Sequence, residues 1–288
     1  MKEELDKIYQ QLSHVRGEFR RHQQDQAMQY NRRRIAEHPN PITRCGQQLF
    51  SQSDEDGVTL EILRRLDMLQ NDNNHPYRYA EIGVETGVEC NTLVLAALGW
   101  SGLWVDQVDM CYRIPNPKRL MHLKTRVNRD NVVATLAQGV DIIRYPAALD
   151  VLSIDVDGLD YHLCKAVLQD SHQVIRPALW IVEYNADFVP PVKFVRDHDE
   201  DYSWDGSNYY GASLESFSEL FKRNGYSLAA CNAASGCNAF FVRTDLFETH
   251  TFSDVPRDIR DIYVPPHYQL AVKFSHSRSV ETVKHVLR

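Results

Sequence analysis

Four acidic residues stand at the ends of four short apolar segments of the chain: Glu81, Asp106, Asp155 and Glu183. Each segment has the length and composition of a buried strand. In a parallel sheet the carboxyl ends of the strands meet at one edge, and ligands bind there. Four carboxylates along that edge would line a cleft suited to a cation, to ribose hydroxyls or to a metal ion.

A glycine-containing turn follows the first of these segments. Gly83 and Gly87 flank the turn, and a helical stretch begins near residue 92. A strand, a glycine turn and a helix start form the geometry that brings backbone N–H groups close to a nucleotide-like ligand. Asp106 lies about 20 residues beyond the turn, the offset at which a carboxylate meets ribose hydroxyls in such units.

The segments that would position these residues alternate between strand and helix. Strands are predicted over 79–82, 102–106, 151–155 and 179–183, helices over 58–69, 90–98, 128–138, 159–169 and 213–223, and a closing β pair over 226–230 and 239–242. This alternation predicts an α/β fold with a doubly wound, Rossmann-like and mostly parallel sheet. The β pair would be antiparallel, and a helical extension would precede the sheet.

Three regions are predicted along the chain: an N-terminal helical extension (1–46), the α/β domain (47–250) and a C-terminal tail with a short helix (251–288). Apolar residues of the extension alternate spacings of three and four: Leu5, Ile8, Leu12, Val15 and Phe19. Such a seam is typical of a helix that packs on its own domain, or of one that pairs with a second subunit as a homo-oligomer. Both interpretations stay open.

Composition narrows the class of protein. The 288 residues are 43% hydrophobic and 25% charged, as in an ordinary soluble domain. The net charge of −7 argues against a nucleic-acid partner, which a basic surface would favour. The six cysteines lack zinc-ligand spacing and are expected to be reduced thiols. No segment has the apolar length of a membrane span or a signal core, so we expect a cytoplasmic protein without a membrane partner.

The order of the motifs resembles a known family. The chain carries Glu-x-Gly-x-x-x-Gly at 81–87, a strand ending in Asp106, Ser-Ile-Asp-Val-Asp-Gly at 153–158 and Val-Glu-Tyr-Asn at 182–185. This set is similar to class I S-adenosylmethionine-dependent methyltransferases, and within them to the FkbM-like family. The stretch 51–57 is similar to the Ser-Gln-x-Gly-Glu-Asp-Gly opening of bacterial relatives, with Asp54 in place of the glycine. The resemblance covers roughly residues 47–245.

The resemblance implies a binding site for S-adenosyl-L-methionine. Its residues would be Ser51, Gln52, Glu55, Glu81, Gly83, Glu85, Gly87, Asn91, Asp106 and Asp155. The glycine turn would lie under the amino-acid and ribose parts of the cofactor, where a side chain would collide with the ligand. Asp106 would accept the two ribose hydroxyls. Ser51 and its neighbours would close over the methionine end, although Ser51 or Ser53 is equally typical of a helix cap.

Methyl transfer from a sulfonium requires a positioned acceptor, a base and the exclusion of water. The predicted catalytic residues are Asp155, His162 and Glu183. Asp155, Glu183 and Asn185 would hold a Mg²⁺ ion, which would lower the pKa of an acceptor hydroxyl. Without the ion, Asp155 or His162 would be the general base.

The segment 186–212 is rich in Pro, Asp, Trp and Tyr, and a loop of this length is usually functional. The predicted acceptor-binding residues are Asp157, Trp204, Asn208, Tyr209 and Tyr210. Aromatic faces beside polar groups suit a sugar, a glycan precursor or another natural product. The alternative is a lid that packs over the cofactor without touching the acceptor.

We therefore expect an S-adenosylmethionine-dependent methyltransferase that methylates an oxygen of a small polar acceptor. A nicotinamide-dependent oxidoreductase is one alternative, but Val84 and Glu85 replace the glycine that close approach of a pyrophosphate requires, and an acid there would repel phosphates. A catalytically inactive methyltransferase fold is the other. It would serve as an interaction module, with the N-terminal helix as its docking element.

Overall fold

A computed structural model of the chain describes residues 2–69, 77–114, 116–142, 149–170 and 175–268. Its helices are α1 (Lys2–Glu37), α2 (Glu55–Arg65), α3 (Leu93–Ala97), α4 (Val132–Ile142), α5 (Asp160–Leu168), α6 (Leu214–Arg223) and α7 (Thr244–Thr249). Its strands are β1 (Arg78–Ile82), β2 (Ser101–Asp106), β3 (Leu120–Lys124), β4 (Val151–Ile154), β5 (Leu179–Glu183), β6 (Tyr226–Cys231) and β7 (Asn238–Arg243). Residues 71–76, which the sequence predicts to be a polar turn, and the predicted terminal helix of the C-terminal tail lie outside the described residues.

The strands form one sheet in the order β3-β2-β1-β4-β5-β7-β6. All neighbours from β3 to β5 are parallel, whereas β7 runs antiparallel to both β5 and β6. The predicted fold class is confirmed. Because the chain proceeds from β1 to β2 on one side and later to β4 on the other, β1 and β4 border the topological switch point at which open α/β sheets bind ligands.

The central strands are buried because both faces of the sheet are covered. All the residues of β1 and β4 are buried, as are all those of β5 except its last. Near-continuous apolar runs are the sequence pattern of such strands. The tryptophans at positions 104 and 180 fill the core with less than 2% of their surface exposed. Burial of this kind fixes the strand ends, and with them the polar residues that follow.

Several elements differ from the sequence prediction. Helix α2 spans Glu55–Arg65 instead of 58–69, and helix α3 spans Leu93–Ala97 instead of 90–98. Strand β3 was not predicted, because its half-buried residues at the edge of the sheet lack a continuous apolar run. Helix α4 begins at Val132 instead of 128, because Asn128 and Asn131 bond each other's backbone N–H groups and form a turn. Helix α7 was also missed.

Helix α1 is one continuous helix whose apolar seam is exposed. Leu12, Val15 and Phe19 are 63%, 60% and 60% exposed. Its other end meets the α/β part, where the Arg34 side chain donates to the carbonyl oxygen of Pro265 at 2.6 Å. The described part of the seam therefore does not pack on its own domain, and pairing with a second subunit stays a prediction, as do the domain boundaries. Among the described residues, no helix has the length and apolar character that a bilayer span demands.

Candidate functional site

The four strand-end acids lie along one edge of the sheet. Strands β2, β1, β4 and β5 are consecutive and parallel, so Asp106, Glu81, Asp155 and Glu183 end at the same side. The β6–β7 connection reaches this edge as well, because Asn238 at the start of β7 pairs with Glu183 in the antiparallel register. We call this side the carboxyl edge.

Glu81 is held by the start of helix α3. Its Oε1 accepts from the Asn91 N–H at 2.8 Å, and its Oε2 accepts from the N–H and the hydroxyl of Thr92 at 2.9 and 2.5 Å. Burial raises the pKa of Glu81 to about 7, and these three donors oppose the shift. Glu81 therefore shapes the backbone of this loop, and its predicted contact with a cofactor stays a prediction.

The glycine turn contacts protein on both of its flanks. Gly83 has a φ of 91°, and a Cβ there would overlap the carbonyl oxygen of Asp155. Gly87 has a φ of 80°, a Cβ there would overlap the Met110 methyl group, and the Tyr112 hydroxyl donates to its carbonyl oxygen at 2.7 Å. The immediate obstacles to a side chain at these positions are a strand end and two side chains, and avoidance of a ligand stays a prediction.

Asp106 joins the glycine turn to the loop after β2. Its Oδ2 accepts from the Glu85 N–H at 2.7 Å and its Oδ1 from the Val108 N–H at 2.9 Å. Glu85 itself adopts a left-handed conformation, with φ of 47°. The carboxylate is half-buried. Each oxygen has a further lone pair, so Asp106 can still accept from a pair of hydroxyls.

Asn91 connects this part of the edge to the next. Its Nδ2 lies 3.3 Å from the Ser153 hydroxyl and 3.4 Å from Oδ2 of Asp155. The side chain is buried. Asn91 therefore orients Asp155 and is placed between the glycine turn and β4.

Asp155, Asp160 and Glu183 converge and form what we call the three-acid group. One carboxylate oxygen from each lies within 4.8 Å of the others. Asp160 closes the turn after β4 by accepting from the N–H groups of Val156 and Gly158 at 2.8 and 2.9 Å. Glu183 is different: its Oε2 is buried and has no hydrogen-bond partner among the described residues.

The three-acid group retains protons more readily than ordinary carboxyls. Burial raises the pKa of Asp155 and Glu183 well above their usual range, and the negative charges of neighbouring acids raise it further. Burial also raises the pKa of Asp160 to about 7, although two backbone N–H groups favour its ionised form. A cation or a hydrogen-bond donor placed among these groups would relieve the repulsion.

Two predicted site residues are engaged elsewhere. Asn185 donates to the carbonyl oxygens of Asn208 and Tyr210, both at 3.0 Å, and its Oδ1 accepts from the Asp187 N–H at 3.1 Å. It therefore fixes the loop after β5, and its predicted role as a metal ligand is not supported.

His162 lies on α5 with its Nε2 2.8 Å from the carbonyl oxygen of Arg196. That nitrogen must carry a hydrogen to bond a carbonyl, so it cannot at the same time take a proton as a base. Burial lowers the pKa of His162, with the Arg196 carbonyl opposing the shift. The structure therefore does not support the predicted catalytic role of His162 as a base that acts through Nε2.

The segment before α2 is tied to the β6–β7 connection. Oε1 of the buried Glu55 accepts from the Asn232 amide at 2.9 Å and from the Ser53 hydroxyl at 2.7 Å. The Ser51 hydroxyl donates to Asp56 at 3.0 Å, whereas the side chain of Gln52 is exposed. Neither serine caps α2, whose N-cap is Asp54. Of the predicted residues Ser51, Gln52 and Glu55, only Glu55 is thus buried close to the three-acid group.

The loop that follows β5 lies against the turn after β4. A Cβ on Gly158 would come within 2.6 Å of the Tyr202 ring, and the Arg196 guanidinium lies 3.4 Å from the centre of that ring. Asp157, at the apex of the turn, is exposed and has φ of 53°. The loop therefore borders the acidic side of the edge, as expected for either an acceptor site or a lid.

The four loop residues predicted to bind an acceptor differ in exposure. Trp204 is 41% exposed, with its Nε1 donating to the Ser207 carbonyl at 2.9 Å. Tyr209 is half-buried and donates to Asp197 at 3.3 Å. Asn208 and Tyr210 are buried and support the loop. Trp204 and Tyr209 are the two that present surface to a ligand.

Exposed apolar side chains mark the same edge. Among the described residues outside α1, the exposed large apolar residues are Leu49, Phe50, Val88, Val108, Tyr112, Val189, Val192 and Trp204. All belong to loops that follow β1, β2 or β5, or to the segment before α2. Apolar surface gathered around an acidic cleft suits a ligand with both a polar and an apolar part.

Sequence reasoning missed two residues of the site. Asp160 lies at the start of the predicted helix 159–169, although the acids at 155, 157 and 160 follow one another closely. Asn238 lies just before the predicted strand 239–242, and its pairing with Glu183 is a property of the sheet. The sequence signal that could have indicated Asn238 is a polar residue at the end of a strand of the closing β pair.

No protein-family model and no curated protein matches the chain in sequence. Among solved structures, the chain is similar to a predicted hemolysin of Lactococcus lactis, with 12% identity and a TM-score of 0.40 over 68% of this chain and 90% of that one. It is similar to a predicted ribosomal RNA methyltransferase of Plasmodium falciparum, with 11% identity and a TM-score of 0.39 over 67% and 96%.

A third similar structure is the MycE methyltransferase of the mycinamycin biosynthetic pathway, in complex with Mg, SAH and mycinamycin VI. The identity is 14% and the TM-score 0.36, over 67% of this chain and 60% of that one. These proteins differ in their described activities, so we take the function from the side chains of the carboxyl edge.

Proposed function

We propose that this protein is an S-adenosyl-L-methionine-dependent methyltransferase that methylates a hydroxyl of a small acceptor. One observation carries the proposal. The switch point beside β1 has a glycine turn and Asp106 on one side and the three-acid group on the other. The first side suits a nucleoside, and the second suits a cationic or proton-donating group.

The charge of the edge favours this cofactor over a dinucleotide. Adjacent strands lie about 4.8 Å apart, so Asp106 on β2 and Asp155 after β4 are separated by about 10 Å across β1. A nucleoside joined to a methionine spans that distance, with its ribose at Asp106 and its positive sulfonium near Asp155. Carboxylates attract the sulfonium and repel the phosphates of a nicotinamide cofactor.

The chain's own groups supply the proton transfer. When no cation is bound, Asp155 or Glu183 would take the proton from the acceptor hydroxyl as the oxygen attacks the methyl group. The new O–C bond forms while the C–S bond breaks, and the bonding pair stays on sulfur as the thioether of S-adenosylhomocysteine. A carboxylate whose pKa is raised is the stronger base once it is ionised, which suits both residues.

The three-acid group fits a divalent cation such as Mg²⁺. Its carboxylate oxygens are close together, and the buried Oε2 of Glu183 has an unused acceptor site. Asp155, Asp160 and Glu183 would hold the ion. When bound, it would lower the pKa of an acceptor hydroxyl.

The acceptor class follows from the loops of the edge. The exposed faces of Trp204 and Tyr209 and the apolar residues around the cleft would contact rings or apolar parts, while the acids receive the hydroxyl. A sugar, a glycan precursor or another glycosylated natural product combines these properties.

Calorimetry with S-adenosylhomocysteine tests the proposal. We expect binding by the unmodified protein and at least tenfold weaker binding by Asp106→Ala. Asp109→Ala is the matched control, because Asp109 is an exposed acid of the same loop and forms an ion pair with the exposed Lys124. Absence of binding, equal binding by both variants, or preference for a nicotinamide dinucleotide would overturn the proposal. Cofactor binding without product from a broad acceptor panel would favour the inactive interaction module.

A further inference from the structure

We infer that Asn238, on β7, supplies a neutral oxygen ligand to the cation site beside the three-acid group. The inference rests on the proposed function, since the cation is part of it. It replaces Asn185 as the amide of the site with a residue from a different strand.

The sheet brings Asn238 to Glu183. The two residues are directly paired in the antiparallel register of β5 and β7, so their side chains leave the same face with Cβ atoms about 5 Å apart. Asn238 is only 3% exposed. Its Oδ1 and the Oε2 of Glu183 are both buried acceptors that lack a partner among the described residues. Buried polar atoms are rarely left in that state.

The orientation of the Asn238 amide is fixed by its other atoms. Its Nδ2 lies 3.4 Å from Oε1 of Glu55 and 3.5 Å from the Cys237 sulfur. Its backbone N–H donates to Oδ1 of Asn232 at 2.9 Å. A flipped amide would turn its oxygen toward the Glu55 carboxylate, so the nitrogen stays on that side and Oδ1 points away from it.

A cation satisfies these acceptors better than a hydrogen-bond donor does. Asp155, Asp160 and Glu183 bring up to three negative charges, and a neutral amide oxygen adds a ligand without adding repulsion. Carboxylate and amide oxygens are the preferred ligands of hard divalent ions. Four protein oxygens leave coordination positions for water or for an acceptor hydroxyl. Asn185 is less suited, because its Nδ2 holds the loop after β5 and its Oδ1 already accepts from the Asp187 N–H.

Titration with Mn²⁺ alone, followed by the paramagnetic resonance of the free ion, tests the inference without any turnover. We expect one site in the unmodified protein and at least tenfold weaker binding in Asn238→Leu, which keeps the volume and removes the oxygen. Asn238→Asp restores an oxygen and is expected to bind Mn²⁺ within about threefold of the unmodified protein, or more tightly. Asn224→Leu, at the end of α6, is the matched control and should leave Mn²⁺ affinity unchanged.

Each other outcome has a definite meaning. Equal Mn²⁺ binding by Asn238→Leu and the unmodified protein overturns the inference, as does a loss that occurs only in Asn185→Ala. Should Asn238→Leu not fold, Glu55→Gln is the second variant. Its amide lets Asn238 turn over, so a severalfold loss of Mn²⁺ affinity supports the inference and an unchanged affinity overturns it. A protein that binds S-adenosylhomocysteine but no Mn²⁺ refutes the inference alone, whereas one that binds neither refutes the proposed function as well.

Discussion

The two sides of the carboxyl edge use the same residue type in opposite ways. Beside β1 and β2, the carboxylates of Glu81 and Asp106 accept backbone N–H groups and so hold the glycine turn in place. Beside β4 and β5, Asp155 and Glu183 face other acids, and Oε2 of Glu183 has no hydrogen-bond partner within the described part of the chain. A carboxylate with hydrogen-bond partners stabilises the fold of the site. A carboxylate without them lowers the stability of the protein unless a ligand binds.

The largest loss of stability should follow from a substitution at Gly83, where the two sides of the carboxyl edge are in contact. Gly83→Val places a Cβ on the carbonyl oxygen of Asp155 at a residue with φ of 91°. Because backbone from β1 and β4 would have to separate, we expect a loss of more than about 4 kcal/mol in the free energy of unfolding. Urea denaturation followed by circular dichroism measures it.

Gly206→Ala is the control for this substitution. Gly206 has φ of 82°, but a Cβ there meets no atom within 4 Å. We expect a loss of only about 1 kcal/mol, the cost of a left-handed conformation. Similar losses in the two variants would show that backbone conformation, and not contact between the two sides, is what requires glycine at position 83.

The sequence was sufficient for the four buried parallel strands and for the acids that end them, because such strands are continuous apolar runs and their parallel alignment brings their carboxyl ends to one edge. It was insufficient for what each acid does. The bonds of Glu81 to Thr92 depend on how the turn folds back, and the place of Asn238 depends on strand pairing between distant segments. Strand β3 was missed because an edge strand needs no apolar run.

Removal of one acid from each side should separate the two roles. Glu81→Ala leaves the buried N–H groups of Asn91 and Thr92 without their acceptor, so we expect a loss of about 3 kcal/mol in unfolding free energy. Glu183→Ala leaves no donor behind at Oε2, and we expect a change within about 1 kcal/mol at pH 8. Urea titrations at pH 8 measure both. Equal losses would contradict the division between a structural and a ligand-ready acid.

The pH dependence of stability should reveal the ligand-ready side directly. Burial and the charge of Asp155 raise the pKa of folded Glu183 above its unfolded value. Its contribution to stability is therefore complete at acid pH and is lost as pH rises through the folded pKa. Glu183→Gln cannot ionise, so we expect it to be more stable than the unmodified protein at pH 8, by about 1 kcal/mol, and to lose that advantage near pH 4.

Thermal unfolding between pH 4 and pH 8, without added metal, measures this difference. Asp109→Asn is the control, because Lys124 lowers the pKa of that exposed carboxyl instead of raising it. A constant difference between Glu183→Gln and the unmodified protein across the range would mean that Glu183 does not titrate with folding.

The smallest effect concerns how far the crowding of charge extends toward solvent. Asp157 and Glu85 are exposed, and each has a positive φ on its own side of the edge. Although the residue as a whole is exposed, partial desolvation of its carboxyl group, and then the charge of Asp106, raises the pKa of Asp157. Asp157→Asn keeps a side chain that tolerates this conformation and removes the charge, so we expect a gain of about 0.5 kcal/mol at pH 8 after solvent screening. Glu85→Gln should change the unfolding free energy by less than about 0.2 kcal/mol.

Paired urea titrations at pH 8 and low salt can resolve the two variants. A gain in both variants would place the repulsion in the net charge of the whole edge, and a gain in neither would confine it to the buried group around Glu183.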